Sequence, residues 1–204
     1  SKCRLGRTYQ DYQRFIGENP GIRVVEMDSV IGRIGGKVLF TMQFVSCGLM
    51  LAFLRTHNDS QSVIDIFNML WNLLGPESFL LLFPVLLTDN GSEFSNPVAI
   101  ETSPEDRRRS YVFYCDPCAS WQKGHVERNH EFLRLVRPKG ESFDDLDQQK
   151  VNEILSHINS YSRPILGNKT PYELFSLLYG EEVLEKFGIR RIPANNIVLK
   201  PRLI

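Results

Sequence analysis

Leu86-Leu87-Thr88-Asp89-Asn90-Gly91-Ser92-Glu93-Phe94 is the stretch whose reading decides the fold. The apolar run Val85 to Leu87 reads as a buried strand. It stops at a carboxylate followed by Asn-Gly, a turn signal. A buried strand that carries an Asp to its end puts an acid at the rim of a sheet, where ligands bind in open α/β folds. Upstream, Ile22 to Ile31 reads as another strand, with Val24, Glu26 and Asp28 on one face. Downstream, Glu127 opens a helix predicted from about Gly124 to Val136 and stopped by Pro138-Lys139-Gly140.

The remaining elements follow from this frame. Gly32 to Gly36 is a Gly-rich turn, and Lys37 to Ser46 and Leu49 to Arg55 are two further strands joined at Cys47-Gly48. The three strands in succession suggest an antiparallel meander. Val63, Ile64, Phe67, Leu70, Trp71 and Leu74 make the stripe of a helix capped near Asn58 to Ser60 and ended by Gly75-Pro76. Residues 90–110 read as a long polar loop, with Arg107 to Arg109 solvated, and Tyr111 to Cys115 as a short strand. Helices are expected over about Leu146 to Tyr161 and from Thr170-Pro171-Tyr172-Glu173 to about Phe187. The second of these opens on an N-cap, a Pro at the first helical position and a Glu at the third.

A helical crossover between the first and fourth strands makes them parallel neighbours. The expected fold is α/β: a mixed five-stranded sheet with flanking helices and a C-terminal helical extension. Residues 1–21 read as a lead-in or linker that includes a short helix over Tyr9 to Phe15. Residues 22–165 read as the core, and 166–204 as the extension packed on it.

The 204 residues suffice for one good-sized domain. A formal net charge of +0 excludes a strongly basic nucleic-acid module, though not a local basic surface. The longest apolar stretches, such as Phe79 to Leu87, are too short to span a bilayer. Cys3, Cys47, Cys115 and Cys118 are too sparse for a disulfide framework, so a reducing cytoplasm is expected.

Asp28, Asp89 and Glu127 form the chemical constellation. Clustered carboxylates repel and need a compensating cation or elevated pKa values. Oxygen-only ligands select a hard ion, Mg²⁺ or Mn²⁺, rather than zinc. Two such ions ~4 Å apart clamp a phosphodiester, activate the attacking oxygen and stabilise the leaving one. Glu26 and Glu93 lie near and read as supporting or solvated groups.

Val25-Glu26-Met27-Asp28, Thr88 to Phe94, and Asp116-Pro117 through Trp121-Gln122-Lys123-Gly124 to Glu127-Arg128-Asn129 resemble the integrase-type catalytic core of bacterial DDE transposases, the insertion sequence thirty family in particular. Leu133-Arg134 through Pro138-Lys139-Gly140 and Lys169 to Glu173 are similar to that family's downstream text. The resemblance covers nearly the whole chain from about Ile22. It implies a ribonuclease H-like fold and metal-dependent DNA cleavage and strand transfer, by water and then by the freed 3′-hydroxyl. The three family acids fall on Asp28, Asp89 and Glu127, with two Mg²⁺ or Mn²⁺ ions as cofactors. DNA, both transposon ends and target, is the implied partner of a homo-oligomer in a bacterial cytoplasm. Full-length members also carry an N-terminal helix-turn-helix region. Nothing here matches one, so the chain reads as a catalytic fragment. The rival expectations are a nuclease that cleaves without joining and a non-catalytic DNA-binding or assembly module.

Lys123, Arg128 and Arg134 surround Glu127 and are the expected phosphate contacts. Trp121, beside a helix start, is expected to pack inward. Cys115, Cys118, His125 and His130 superficially suggest zinc. Their spacing is too tight for a finger, and the two histidines diverge on one helix. Cys115 is expected to be buried and Cys118 to be an incidental loop residue.

Overall fold

A computed structural model describes residues 2–204. Strands β1 (Val24–Ile31), β2 (Val38–Phe44), β3 (Met50–Arg55), β4 (Val85–Thr88) and β5 (Tyr111–Tyr114) form one mixed sheet in the order β3-β2-β1-β4-β5. β2 and β3 are antiparallel, while β4 runs parallel to both β1 and β5. This is the expected five-stranded ribonuclease H-like sheet. The chain divides into two compact units, and β1 runs through both.

The first unit contains the chain up to Asp28 and Asn58–Gly124. Helix α1 (Tyr9–Glu18) starts on a reciprocal capping box between Thr8 and Asp11. Its Tyr12 and Phe15 pack on Phe113 of β5, in a cluster that includes Val85, Leu87 and Cys115. α1 extends through Glu18, beyond the expected Phe15. Helix α2 (Ser60–Leu74) is capped by Asp59 and buries the expected stripe. A helix absent from the sequence reading follows, α3 (Pro76–Leu82), with Pro76 at its start. Phe79 of α3 meets Phe67 and Trp71 of α2 and then Phe83.

The segment expected to be a polar loop has structure of its own. It forms a short 3₁₀ turn (Ser92–Phe94) and helix α4 (Pro97–Glu101). Arg109 is not solvated but 1% exposed. Its guanidinium donates to the carbonyls of Ile100, Ala99 and Phe67 at 2.8, 3.1 and 3.4 Å. The carbonyls of Ala99 and Ile100, left over by the short α4, thus receive a cation's hydrogen bonds. Burial holds its pKa down at about 10.

β5 is an edge strand, and its outward backbone donors are met. Val112 N–H donates to the Glu101 carboxylate at 2.9 Å, and Tyr114 N–H donates to the Arg7 carbonyl at 2.8 Å. Glu101 is in turn paired with the Arg7 guanidinium.

The second unit contains Ser29–His57 and His125–Ile204. β2 and β3 pair in register from Val38 opposite Arg55 to Gln43 opposite Met50. Helices α5 (Gly124–Val136), α6 (Gln148–Asn159), α7 (Pro171–Tyr179) and α8 (Glu181–Lys186) follow. α6 lies along β3, where Gln148 accepts from Leu54 N–H at 2.9 Å and donates to the Ala52 carbonyl at 2.8 Å. The outer edge is thereby bonded by side chains rather than by another strand. α7 has the expected Thr170–Glu173 capping box. Phe175 of α7 meets Phe44 and Phe187. Among the described residues no helix is long and apolar enough to cross a membrane.

Candidate active site

Parallel pairing of β1 with β4 sets Val24 opposite Val85, Val25 opposite Leu86 and Glu26 opposite Leu87. The same offset continued two steps aligns Asp28 with Asp89, both on the face carrying Val24 and Val85. Thr88 Oγ1 donates to the Met27 carbonyl at 3.4 Å, extending the match past the last ladder pair. The Asn-Gly turn then fixes the second acid. Gly91 N–H donates to Asp89 Oδ1 at 3.0 Å, an Asx-type turn, and Asn90 Nδ2 donates to the Cys115 carbonyl at 2.9 Å. Arg4 donates to the Asn90 carbonyl at 3.0 Å from the other side.

One cation joins the two acids. Lys123 Nζ lies 2.8 Å from Asp28 Oδ2 and 3.4 Å from Asp89 Oδ2, and donates to the Met27 carbonyl at 3.2 Å. The lysine is 2% exposed, whereas the Asp89 side chain is 45% exposed. The pair thus has a buried floor and an open mouth. Lys123 was expected to hold phosphate; here it is turned inward onto the acids at the end of the 3₁₀ turn Ser120–Lys123. The sequence carried one usable signal for this: two carboxylates in register require a cation, and Lys123 is the basic residue leading into α5.

Glu26 is 2% exposed and Glu93 6% exposed, so neither is solvated. Trp121 is the reverse case, 75% exposed where packing was expected. Its turn is held instead by Gln122, which accepts from Asp116 N–H at 2.7 Å and donates to the Asp116 carboxylate at 3.0 Å. Cys115 is buried and burial pushes its thiol up to about 12, while Cys118 is exposed in a left-handed turn with φ 58°.

In the second unit Glu127 lies in the first turn of α5. Arg128 is exposed and, with His125, Asn129, Phe132 and Arg163, lines a cavity of about 500 Å³. Arg134 donates to the Ile31 carbonyl at 3.1 Å, its guanidinium 6.0 Å from the Phe143 ring centre, and burial lowers its pKa. His130 Nε2 is 2.7 Å from Thr41 Oγ1. Asn129 donates to Gln43 at 2.6 Å and accepts from Arg163 at 2.9 Å, which ties α5 to the hairpin. Among the described residues, no three Asp, Glu, His or Cys side chains stand together as a ready-made metal cage.

The donor set of the first unit nevertheless suits a hard divalent cation. Two carboxylates already converge on a single positive atom, and both present oxygen.

The fold is that of an integrase catalytic core. The catalytic core domain of bovine immunodeficiency virus integrase superimposes with a TM-score of 0.50 at 19% identity, over 80% of this chain and 99% of that one. The simian T-cell lymphotropic virus intasome, solved with the PP2A regulatory subunit B56 gamma, gives 0.54 at 16% identity, over 75% and 54%. In sequence, part of the chain is similar to insertion-sequence transposases. It is 26% identical over 91 residues to the transposase for IS1086 of Cupriavidus metallidurans, covering 45% of this chain and 26% of the relative. It is 30% identical over 63 residues to InsI for IS30A of Escherichia coli, covering 31% and 16%. The match thus spans about a quarter or less of each relative's length. No family model matches the chain.

Proposed function

We propose that this chain is the catalytic core of a DDE transposase that cleaves DNA at transposon ends and joins the freed 3′-hydroxyl to target DNA. The observation that carries the reading is the register of Asp28, within β1, with Asp89, just past the end of the parallel β4, where both share one cation. Asp28, Asp89 and, as the third carboxylate of the loaded site, Glu127 would hold Mg²⁺ or Mn²⁺, in all two ions. Bound divalent ions would activate the attacking oxygen and stabilise the leaving one.

The chain's own residues supply position and charge. β1 holds Asp28 within its length, β4 delivers Asp89 at its end, and the Asx turn orients Asp89. Arg128, exposed beside Glu127, serves the phosphate backbone. Arg134, bonded to Ile31, has less of its guanidinium to offer. DNA is the proposed partner and the active species a homo-oligomer, in a bacterial cytoplasm.

The test is a divalent-ion titration with a labelled, pre-cut transposon end and a target duplex. Metal-dependent joined products, lost in Asp89→Asn, support the reading. Hydrolysis without joining would make the chain a nuclease, and DNA binding without turnover would make it an assembly module.

A further inference from the structure

Lys123 is committed to the acidic pair. Its ammonium donates to the Met27 carbonyl at 3.2 Å and lies 2.8 Å from Asp28 Oδ2 and 3.4 Å from Asp89 Oδ2. A divalent ion would be held by the same two carboxylates. Its charge would repel that of the ammonium beside them. The two cations therefore compete for the pair.

We infer that Lys123 is a built-in counter-ion that keeps the metal position closed, and that a divalent ion enters only by displacing it. This inference rests on the reading that Asp28 and Asp89 hold the metal. Lysine's flexible stem makes it a better removable plug than arginine, whose planar fork would lock onto a carboxylate. In the metal-free chain the lysine removes the repulsion between the acids and preserves their spacing. In return it lowers the apparent metal affinity, because the competent state is only part of the population.

The test is Mn²⁺ binding, read from the loss of the free-ion electron paramagnetic resonance signal. The proteins are the full chain, Lys123→Met, Asp89→Asn and the double variant, without DNA. Lys123→Met should bind Mn²⁺ about tenfold or more tightly than the unmodified chain, the reciprocal of the ion's displacement of the ammonium. Asp89→Asn should weaken binding in both backgrounds. Equal or weaker binding by Lys123→Met, with Asp89→Asn still weakening it, overturns the counter-ion and leaves the metal site standing. No effect of Asp89→Asn in either background overturns both. Circular dichroism checks folding. If Lys123→Met fails to fold, Lys123→Gln, which can keep the bond to the Met27 carbonyl, takes its place in the same titration.

Discussion

Asn159 and Met50 exchange two hydrogen bonds: Met50 N–H donates to Asn159 Oδ1 at 2.9 Å, and Asn159 Nδ2 donates to the Met50 carbonyl at 2.8 Å. The amide of the last residue of α6 thus imitates a neighbouring strand at the start of β3. Asn159 is 0% exposed, so no water replaces it. Asn159→Ala should leave one donor and one acceptor unmet and cost roughly 2–4 kcal/mol. Urea denaturation monitored by far-ultraviolet circular dichroism measures this; a loss below ~0.5 kcal/mol would show that the edge tolerates exposure.

Arg109 should tolerate replacement worse than any surface arginine. Its guanidinium serves the carbonyls of Phe67, Ala99 and Ile100. Arg109→Lys cannot reach all of these with one ammonium, and Arg109→Ala also opens a cavity. We expect losses of about 2 kcal/mol for lysine and more than about 3 for alanine. The Tm and the denaturant midpoint should fall together.

DNA affinity should depend on Arg128 more than on Lys123 in metal-free buffer. Arg128 is exposed, whereas Lys123 is committed to Asp28 and Asp89. Arg128→Ala should lower the slope of log affinity against log salt by about one contact. Lys123→Met should leave that slope unchanged. Binding titrations on two unrelated duplexes at several salt concentrations distinguish the two, and a reversed order would return Lys123 to the phosphate backbone.

Thiol chemistry should separate the Cys-x-x-Cys pair. Cys118 is exposed, and Cys115 is buried with its thiol pushed up to about 12 by desolvation. The thiolate is the reactive form. At pH 8 one equivalent of iodoacetamide should modify Cys118 and leave Cys115 untouched until the chain unfolds. Peptide mass mapping reads the outcome.

The sheet and the pairing of Asp28 with Asp89 were legible because their signals are local. An apolar run ended by Thr-Asp-Asn-Gly specifies a strand and its turn, and the strand–helix order specifies the parallel neighbour. Thr170-Pro171 marked α7 for the same reason. What escaped reading depends on partners far along the chain. α3 has Phe79-Leu80-Leu81-Leu82 after its first residues, and so short an apolar run has no period to tell helix from strand. Arg109 looks solvated among Glu105, Asp106 and Arg107, yet the carbonyls that bury it come from α2 and α4. Lys123 was recognised as important for its charge, but its inward direction follows from the β1–β4 register.

The packing of the residues before β1 bears on how far this chain can be shortened. Tyr12 and Phe15 lie on Phe113, and the Arg7 carbonyl occupies the outward N–H of Tyr114. A chain trimmed to begin at Ile22 would keep all three candidate acids. It would also uncover Phe113 beside the outer edge of β5, where the Tyr114 N–H would lose its acceptor and could meet another copy of the chain. Such a fragment is expected to self-associate more readily than the longer chain, which would make the N-terminal segment a guard on solubility.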